Sequence, residues 1–190
     1  RPRLAAGQVA ELLCGSARDI RPSGWDRRTG CGRLDLAAAL RDPAPAVDPA
    51  EPNDDIRWVD GLVFGAATPA IWRGGTRRLV RASVTRRIDA AGVYRILRPP
   101  HSLTRVTLEP QLGGADLRIL GDGAVSSSDT SALIAASSRP HRSPDDLSIS
   151  NRGSTSRIAY IVVSHDARDA AHHTDYRLRV ARAGAGVSAR

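Results

Sequence analysis

TDYRLRVAR, at residues 174–182, is the stretch that decides the fold. Its apolar side chains, Tyr176, Leu178 and Val180, recur at every second position, and mostly charged side chains stand between them. Successive side chains of a β-strand point to opposite faces of a sheet, so this spacing predicts a strand with one apolar and one polar face. A chain with several such strands buries their apolar faces against one another.

The same alternation recurs upstream at three places: Tyr94 and Ile96, Val106 and Leu108, and Leu117 and Ile119. Residues 158–163, IAYIVV, are instead apolar on both faces, which predicts a central strand that is covered from each side. Clusters of Gly, Pro, Ser and Asp separate these runs, and short strands with such turns between them are typical of antiparallel sandwiches. We therefore predict a mainly β fold, an antiparallel, jelly-roll-like β-sandwich preceded by a short helical segment.

The first forty residues have a helical period instead. Apolar residues spaced three and four apart predict an amphipathic helix over residues 6–18, and the run at 34–40 predicts a second helix that Pro43 ends. Helices this short cannot form a core by themselves, so we expect them to pack either on the rest of this chain or, as we favour, on a larger body that precedes Arg1. The absence of methionine also leads us to expect a longer reading frame.

The prolines between residues 42 and 53 stand among small and acidic residues, which is the composition of an extended linker. We therefore divide the chain into a helical segment (1–42), a linker (43–53), a β-sandwich (54–183) and a disordered tail (184–190).

Charge and composition exclude several partners. The formal charge is +8, and all 28 basic residues are arginines. A nucleic-acid-binding protein clusters such residues among stacking aromatics, whereas here they are spread over a chain with three Trp, three Tyr and one Phe. We expect no nucleic-acid partner and, since no apolar run of about 18 residues occurs, no membrane-spanning segment. We also expect a monomer.

Two motifs follow each other near the start of the chain, AAGQVAELLCGSARDI at 5–20 and GWDRRTGCGRLDLAAAL at 24–40. Through these motifs, residues 4–40 resemble the end of the catalytic domain of subtilisin-like serine proteases (subtilases). It implies that the first segment is the helical remnant of an α/β hydrolase domain. It also implies that the nucleophile motif and the catalytic histidine and aspartate lie upstream of Arg1, so we assign no catalytic residue to this chain.

The remainder resembles the bacterial pre-peptidase C-terminal domain, a β-sandwich that follows many secreted proteases. The matching pieces include EPNDD at 51–55, RIDAAGVYRIL at 87–97, RIAYIVVSHD at 157–166 and TDYRLRVAR at 174–182. The two resemblances together imply the C-terminal part of a secreted bacterial serine endopeptidase. Its protein or peptide substrate would be hydrolysed in the missing domain, and the sandwich would assist secretion, folding or substrate attachment.

A second hypothesis is a stand-alone extracellular binding or adhesion module without enzymatic activity. In that case the N-terminal helices merely decorate a β-sandwich. Either way, the chain by itself is expected to be inactive and to require no cofactor.

Glu51, Asn53 and Asp54 are candidate calcium ligands, because hard oxygen donors grouped on a flexible entry segment suit this ion. In the family that the sandwich resembles, such a stretch contributes to a calcium site together with an acidic pair just before a strand tyrosine. Here Ala90 and Gly92 occupy those positions before Tyr94, so that pair is absent.

Cys14 and Cys31 are the only cysteines. We predict a disulfide between them if the compartment is oxidising, and two structural thiols are the alternative.

Residues 164–166 read Ser-His-Asp, the three residue types of a catalytic triad. Successive residues of a strand point to opposite faces, so these side chains cannot converge as a nucleophile, its base and an orienting acid. We therefore do not interpret the tripeptide as a catalytic site.

Overall fold

The computed structural model describes residues 4, 8–9, 12–13, 16–18, 20, 28–29, 32–42, 53–62, 65–85, 91–139, 143–166, 168 and 173–183. Two short helices in these ranges are α1, Leu36–Arg41, and α2, Ile56–Val59. The strands are β1 (Arg77–Thr85), β2 (Ala91–Arg98), β3 (Ser102–Leu112), β4 (Ala115–Gly121), β5 (Leu133–Ser137), β6 (Asp145–Asn151), β7 (Arg157–His165) and β8 (His173–Arg182).

The strands form two four-stranded antiparallel sheets, one in the order β1-β8-β3-β6 and the other in the order β2-β7-β4-β5. The first strand thus pairs with the eighth, the second with the seventh, the third with the sixth and the fourth with the fifth. A long antiparallel ribbon wrapped into two layers has this order, which is that of a jelly roll. The predicted jelly-roll-like sandwich is confirmed.

The predicted apolar faces of the strands meet between the two sheets. Tyr176, Leu178 and Val180 of β8 are buried there together with the inward side chains of β2, β3, β4 and β7. The alternation of buried and exposed side chains along β3 follows the period of two that its sequence predicts. The core therefore sits where the sequence pattern places it.

Strand β7 is the central strand that its two-sided apolar composition predicts. It lies between β2 and β4, with Ile161 and Val163 in the inter-sheet core. Tyr160 and Val162 point to the other side, where α2 packs on them through Ile56 and Val59. Both faces of this strand are buried because a helix covers one and a sheet covers the other.

One polar contact crosses the inter-sheet core. The hydroxyls of Tyr94 on β2 and Tyr176 on β8 are hydrogen-bonded at 2.6 Å, and both residues are 1% exposed. Gly92 makes room for this pair, since a Cβ on Gly92 would overlap the Tyr176 hydroxyl and lie 3.2 Å from that of Tyr94. The missing side chain at position 92 is thus a packing requirement.

The outer edge of β2 is covered by residues 71 and 72. Ile71 N–H donates to Arg95 O at 2.9 Å, and Leu97 N–H donates to Trp72 O at 2.9 Å, so a short parallel bridge extends the sheet. The Trp72 ring is buried and its Nε1 donates to Gly75 O at 3.0 Å. Covering an edge in this way removes a site for pairing with another chain.

The N-terminal segment is described in parts, which agree with the predicted helices only in part. The helix predicted over residues 6–18 has ended by Ser16, because Arg18 pairs with Arg33 in an isolated antiparallel bridge, with both N–H···O distances at 2.8 Å. Residues 8, 9, 12 and 13 are helical, and α1 begins after Asp35, whose side chain accepts from Ala38 N–H at 2.9 Å. Leu36 and Leu40, one turn apart on α1, are 55% and 64% exposed. Within the described ranges, no helix is both long and apolar enough to cross a bilayer.

We predict that Gly92→Ala lowers the free energy of unfolding by about 1–3 kcal/mol, because the added methyl group must displace the tyrosine pair in a packed core. Urea unfolding followed by circular dichroism measures the change. The loss should shrink in a Tyr176→Phe background, where the hydroxyl that the methyl group meets is absent, and a double-mutant cycle reports this coupling.

Gly123→Ala is the matched control, because a Cβ on Gly123 meets nothing within 4 Å. Its effect should stay within about 0.5 kcal/mol. Equal losses from Gly92→Ala and Gly123→Ala would contradict the packing role of Gly92.

Candidate functional site

The segment that enters the sandwich, residues 53–60, is the polar stretch that the sequence singles out. Asn53 is buried, and its carbonyl accepts from Val93 N–H of β2 at 2.7 Å. The segment then turns into α2, which lies over the outer side of β2 and β7. Its position is thus fixed by one backbone hydrogen bond and by the apolar underside of one helical turn.

Asp55 ties this segment to the loop after β4. One carboxylate oxygen accepts from Arg57 N–H and Nε, both at 3.1 Å, which caps the start of α2. The other oxygen accepts from the backbone N–H and the hydroxyl of Ser127, both at 3.0 Å. Burial by itself would raise the pKa of Asp55, but the hydrogen bonds from Ser127 and Arg57 outweigh it and hold this pKa below its ordinary value.

Asp60, at the other end of α2, accepts a hydrogen bond of 2.6 Å from the hydroxyl of Tyr160. The Arg95 guanidinium lies 3.8 Å from the same carboxylate. Burial and, to a smaller extent, Asp60 raise the pKa of Tyr160 far above its ordinary range, so the tyrosine donates this hydrogen bond at any physiological pH. Both ends of α2 are therefore anchored by aspartates to the sheet and its loops.

The calcium prediction falls partly on this segment. Asn53 and Asp54 lie at the entry, and Glu51 lies outside the described residues. Neighbouring Asp55 already accepts four hydrogen bonds, and among the described residues no group of three His, Cys, Asp or Glu side chains could hold a metal ion. The described part of the segment is built as a structural anchor, and calcium binding that includes Glu51 stays a prediction.

The predicted disulfide also stays a prediction, because Cys14 and Cys31 lie outside the described residues.

A second polar cluster, which the sequence analysis did not identify, lies at the end of the sandwich where β4, β6 and β7 meet. Asp145, the first residue of β6, is fully buried and accepts from the Ser137 hydroxyl. Burial raises the pKa of Asp145 above its ordinary value, and the Ser137 hydrogen bond only partly offsets this. The only sequence signal for this site is an acidic residue at a position that the strand alternation assigns to the inner face.

The Ser-His-Asp tripeptide at 164–166 belongs to the same end of the sandwich. Asp166 accepts from Arg168 N–H at 2.9 Å and from Arg168 Nε at 2.8 Å, and this side-chain hydrogen bond lowers the pKa of Asp166. Arg168 also donates to Ser138 Oγ at 2.7 Å. The carboxylate thus fixes a loop instead of orienting a catalytic base.

Comparison with models of known protein families found no match, and neither did comparison with curated protein sequences. Among solved structures, the chain is similar to the pre-peptidase C-terminal domain of a collagenase from Bacillus anthracis. The identity is 15%, the TM-score is 0.40, and the match covers 59% of this chain and 96% of that domain.

A second similar structure is PliG from Aeromonas hydrophila, a periplasmic inhibitor of g-type lysozyme. Its identity is 12% and its TM-score 0.37, and the match covers 57% of this chain and 88% of the inhibitor.

We predict that acid destabilises the protein partly through Asp55. Its folded-state pKa lies below the ordinary value of 3.8, so its contribution to stability is present above that pH and is lost as the pH falls through the lowered value. Asp55→Asn should cost about 1 kcal/mol at neutral pH, because an amide N–H then faces the Ser127 donors. This cost should decrease when urea unfolding is repeated at about pH 3.

Asp122→Asn serves as the comparison, since Asp122 is exposed in the turn after β4. At neutral pH this variant should differ from the wild type by no more than about 0.5 kcal/mol. A constant cost of Asp55→Asn at all pH values would show that the Asp55 charge does not stabilise the entry segment.

Asp145 should have the opposite pH dependence. Its folded-state pKa is raised, so the carboxyl of the folded protein keeps its proton above pH 3.8. The free energy of unfolding then falls as the pH rises, because ionisation places a charge in a buried position. Relative to the wild type, Asp145→Asn should therefore gain stability as the pH rises from about 4 to about 7. Thermal unfolding at several pH values measures this difference.

Asp146→Asn is the neighbouring control, because Asp146 lies on the outer face and forms an ion pair with Arg105. It should show no such gain, since surface ion pairs contribute only about 0–1 kcal/mol. A stability difference between Asp145→Asn and wild type that does not change with pH would refute the buried-charge interpretation.

Proposed function

We propose that this chain is the C-terminal part of a secreted subtilisin-like serine endopeptidase, and that its β-sandwich is a non-catalytic accessory module. The parent protein would hydrolyse peptide bonds through a Ser-His-Asp triad that lies upstream. In this proposal, residues 1–42 complete the hydrolase body and the sandwich assists secretion, folding or substrate attachment outside the cytoplasm.

The exposed apolar side of α1 is the observation that carries the proposal. Leu36 and Leu40 face the same side at a spacing of four residues and are more than half exposed, and Leu34 beside them is 51% exposed. Large apolar side chains that are this exposed on a single helical turn are unfavourable in water, and a larger surface packed on α1 would bury them. The sequence resemblance of residues 4–40 to the end of a subtilase domain supports the proposal that this surface belongs to a hydrolase body.

The polar groups of the sandwich support the accessory role. Asp55, Asp60 and Asp166 each hold a helix end or a loop by hydrogen bonds, and none of them faces a nucleophile with a base behind it. In the described ranges the arrangement stabilises the module and offers no acyl-transfer chemistry. Calcium bound through Glu51, Asn53 and Asp54 would add a further link at the entry, as part of the same proposal.

The test compares two exposed leucines in the longer reading frame that contains this chain. Leu40→Arg should lower hydrolysis of casein at least about ten-fold or shorten the thermal half-life of the activity, because a charge is then buried in the interface with the hydrolase body. The activity should be abolished by phenylmethylsulfonyl fluoride. In the isolated chain, the same substitution should leave the unfolding midpoint of the sandwich unchanged.

Leu62→Arg is the matched control, since Leu62 is also highly exposed but follows α2 on the sandwich. It should leave hydrolysis unchanged. A longer frame with no inhibitor-sensitive hydrolysis would instead support a stand-alone binding or adhesion module, for which the self-contained core of the sandwich is sufficient.

A further inference from the structure

The solvent-facing side of β1 and β8 carries three exposed arginines that form no ion pair with a described acid. Arg77 and Arg81 of β1 and Arg177 of β8 are exposed, and within the described ranges none of them forms an ion pair. Their inward neighbours Val80 and Leu178 are buried in the inter-sheet core. The alternation along each strand therefore places all three arginines on the outer face of the sheet.

The strand register brings two of these charges together. Arg81 lies directly opposite Arg177 in the antiparallel pair, and Arg77 follows four residues along β1 on the same face. Directly opposed side chains have Cβ atoms about 4.5–5.5 Å apart, so like charges at such a pair repel each other and destabilise the sheet. Protection of an edge strand explains arginines on β1, but it does not explain a matching arginine on the inner strand β8.

Elsewhere on the same face, arginines are neutralised. Arg105 pairs with Asp146 of the adjacent strand, and Arg179 pairs with Glu109 at 3.2 Å. Glu109 also lies opposite Arg177 in the register of β3 and β8, but its ion pair is with Arg179, and Asp175 lies two residues from Arg177 on the same face without an ion pair to it. The three guanidinium groups on the β1 side that form no ion pair within the described ranges are called the arginine face (Arg77, Arg81 and Arg177). A repulsive arrangement beside neutralised ones indicates a surface that is completed by an external anion.

The remaining side chains of this face restrict the kind of partner. Its described residues include no aromatic side chain, and the tyrosines of the chain are buried, so bases of a single-stranded nucleic acid have nothing to stack on. Leu79, 38% exposed, is the one large apolar side chain among the arginines, whereas a folded protein partner requires a buried cluster of anchors. A linear polymer with regularly spaced anionic groups can contact guanidinium groups that are spread along two paired strands.

We propose that the arginine face binds an acidic polysaccharide, with Arg77, Arg81 and Arg177 each engaging sulfate or carboxylate groups of consecutive sugars. Guanidinium groups form paired hydrogen bonds with such planar or trigonal oxyanions, which favours arginine at this position. This inference concerns the sandwich alone and holds whether or not the parent protein is a peptidase.

The experiment compares two triple variants of equal net charge on immobilised and soluble heparin, a sulfated polysaccharide. Replacing Arg77, Arg81 and Arg177 with Gln should weaken binding at least about ten-fold near 0.1 M salt. The slope of log affinity against log salt concentration should also decrease, by the amount expected for the loss of about three ionic contacts. The matched control replaces Arg73, Arg152 and Arg157, which are exposed and lie outside β1 and β8. It should change the affinity less than about three-fold.

A measurement of folding accompanies the binding data. Because Arg81 and Arg177 repel each other, Arg81→Gln alone should raise the unfolding midpoint while it weakens heparin binding. This pairing of a gain in stability with a loss in affinity separates a binding role from a fold defect.

Three further probes distinguish the sources of negative charge: polygalacturonate, polyglutamate and single-stranded DNA. Binding of heparin or polygalacturonate that depends on the arginine face supports the proposal. An equal loss of affinity in the two triple variants would show that binding depends only on net charge, and it would overturn the proposal. Tighter arginine-dependent binding of polyglutamate or DNA than of either polysaccharide would also overturn it.

Discussion

The burial of two apolar sheet faces against each other is the constraint on which the rest of this molecule depends. The strands contribute alternate side chains to the inter-sheet core, and the hydroxyl pair of Tyr94 and Tyr176 lies inside this core. A buried hydroxyl without a partner is costly, so the two tyrosines satisfy each other across the sheets and leave Gly92 no space for a side chain. The relative position of the two sheets is fixed by this contact as well as by apolar packing.

Because the inner faces are used in this way, the two outer faces are left for different purposes. The outer side of β2 and β7 is apolar and is covered by α2, whose ends are held by Asp55 and Asp60. The outer side of β1 and β8 is charged and has no such cover among the described residues. The two sheets therefore differ in their outer faces, one of which is covered by a helix and the other of which is charged.

The acidic residues of the sandwich illustrate how the same residue type serves opposite roles. Asp55 accepts hydrogen bonds from four donors and is stabilised as a carboxylate, whereas Asp145 is buried with fewer donors and resists ionisation. In the entry segment, for which the sequence predicts calcium binding, Asp55 holds the start of α2 and the loop after β4 by hydrogen bonds, and the calcium site stays a prediction. In the helical segment before it, Leu34, Leu36 and Leu40 are exposed, whereas Leu12 and Ala39 are buried.

The sequence by itself determined the class of fold, because a period of two in residues such as Tyr176, Leu178 and Val180 leaves only one face for burial, and the two-sided run at 158–163 requires a central strand. It also predicted where α1 lies, from a short apolar run ended by a proline. The pairing of β1 with β8 and of β4 with β5, the closeness of Ser127 to Asp55 and the opposition of Arg81 and Arg177 were decided only by the tertiary structure. These features depend on which strands become neighbours. Strand order is set by how the whole ribbon packs into two layers, and the local alternation of a single strand carries no information about that packing.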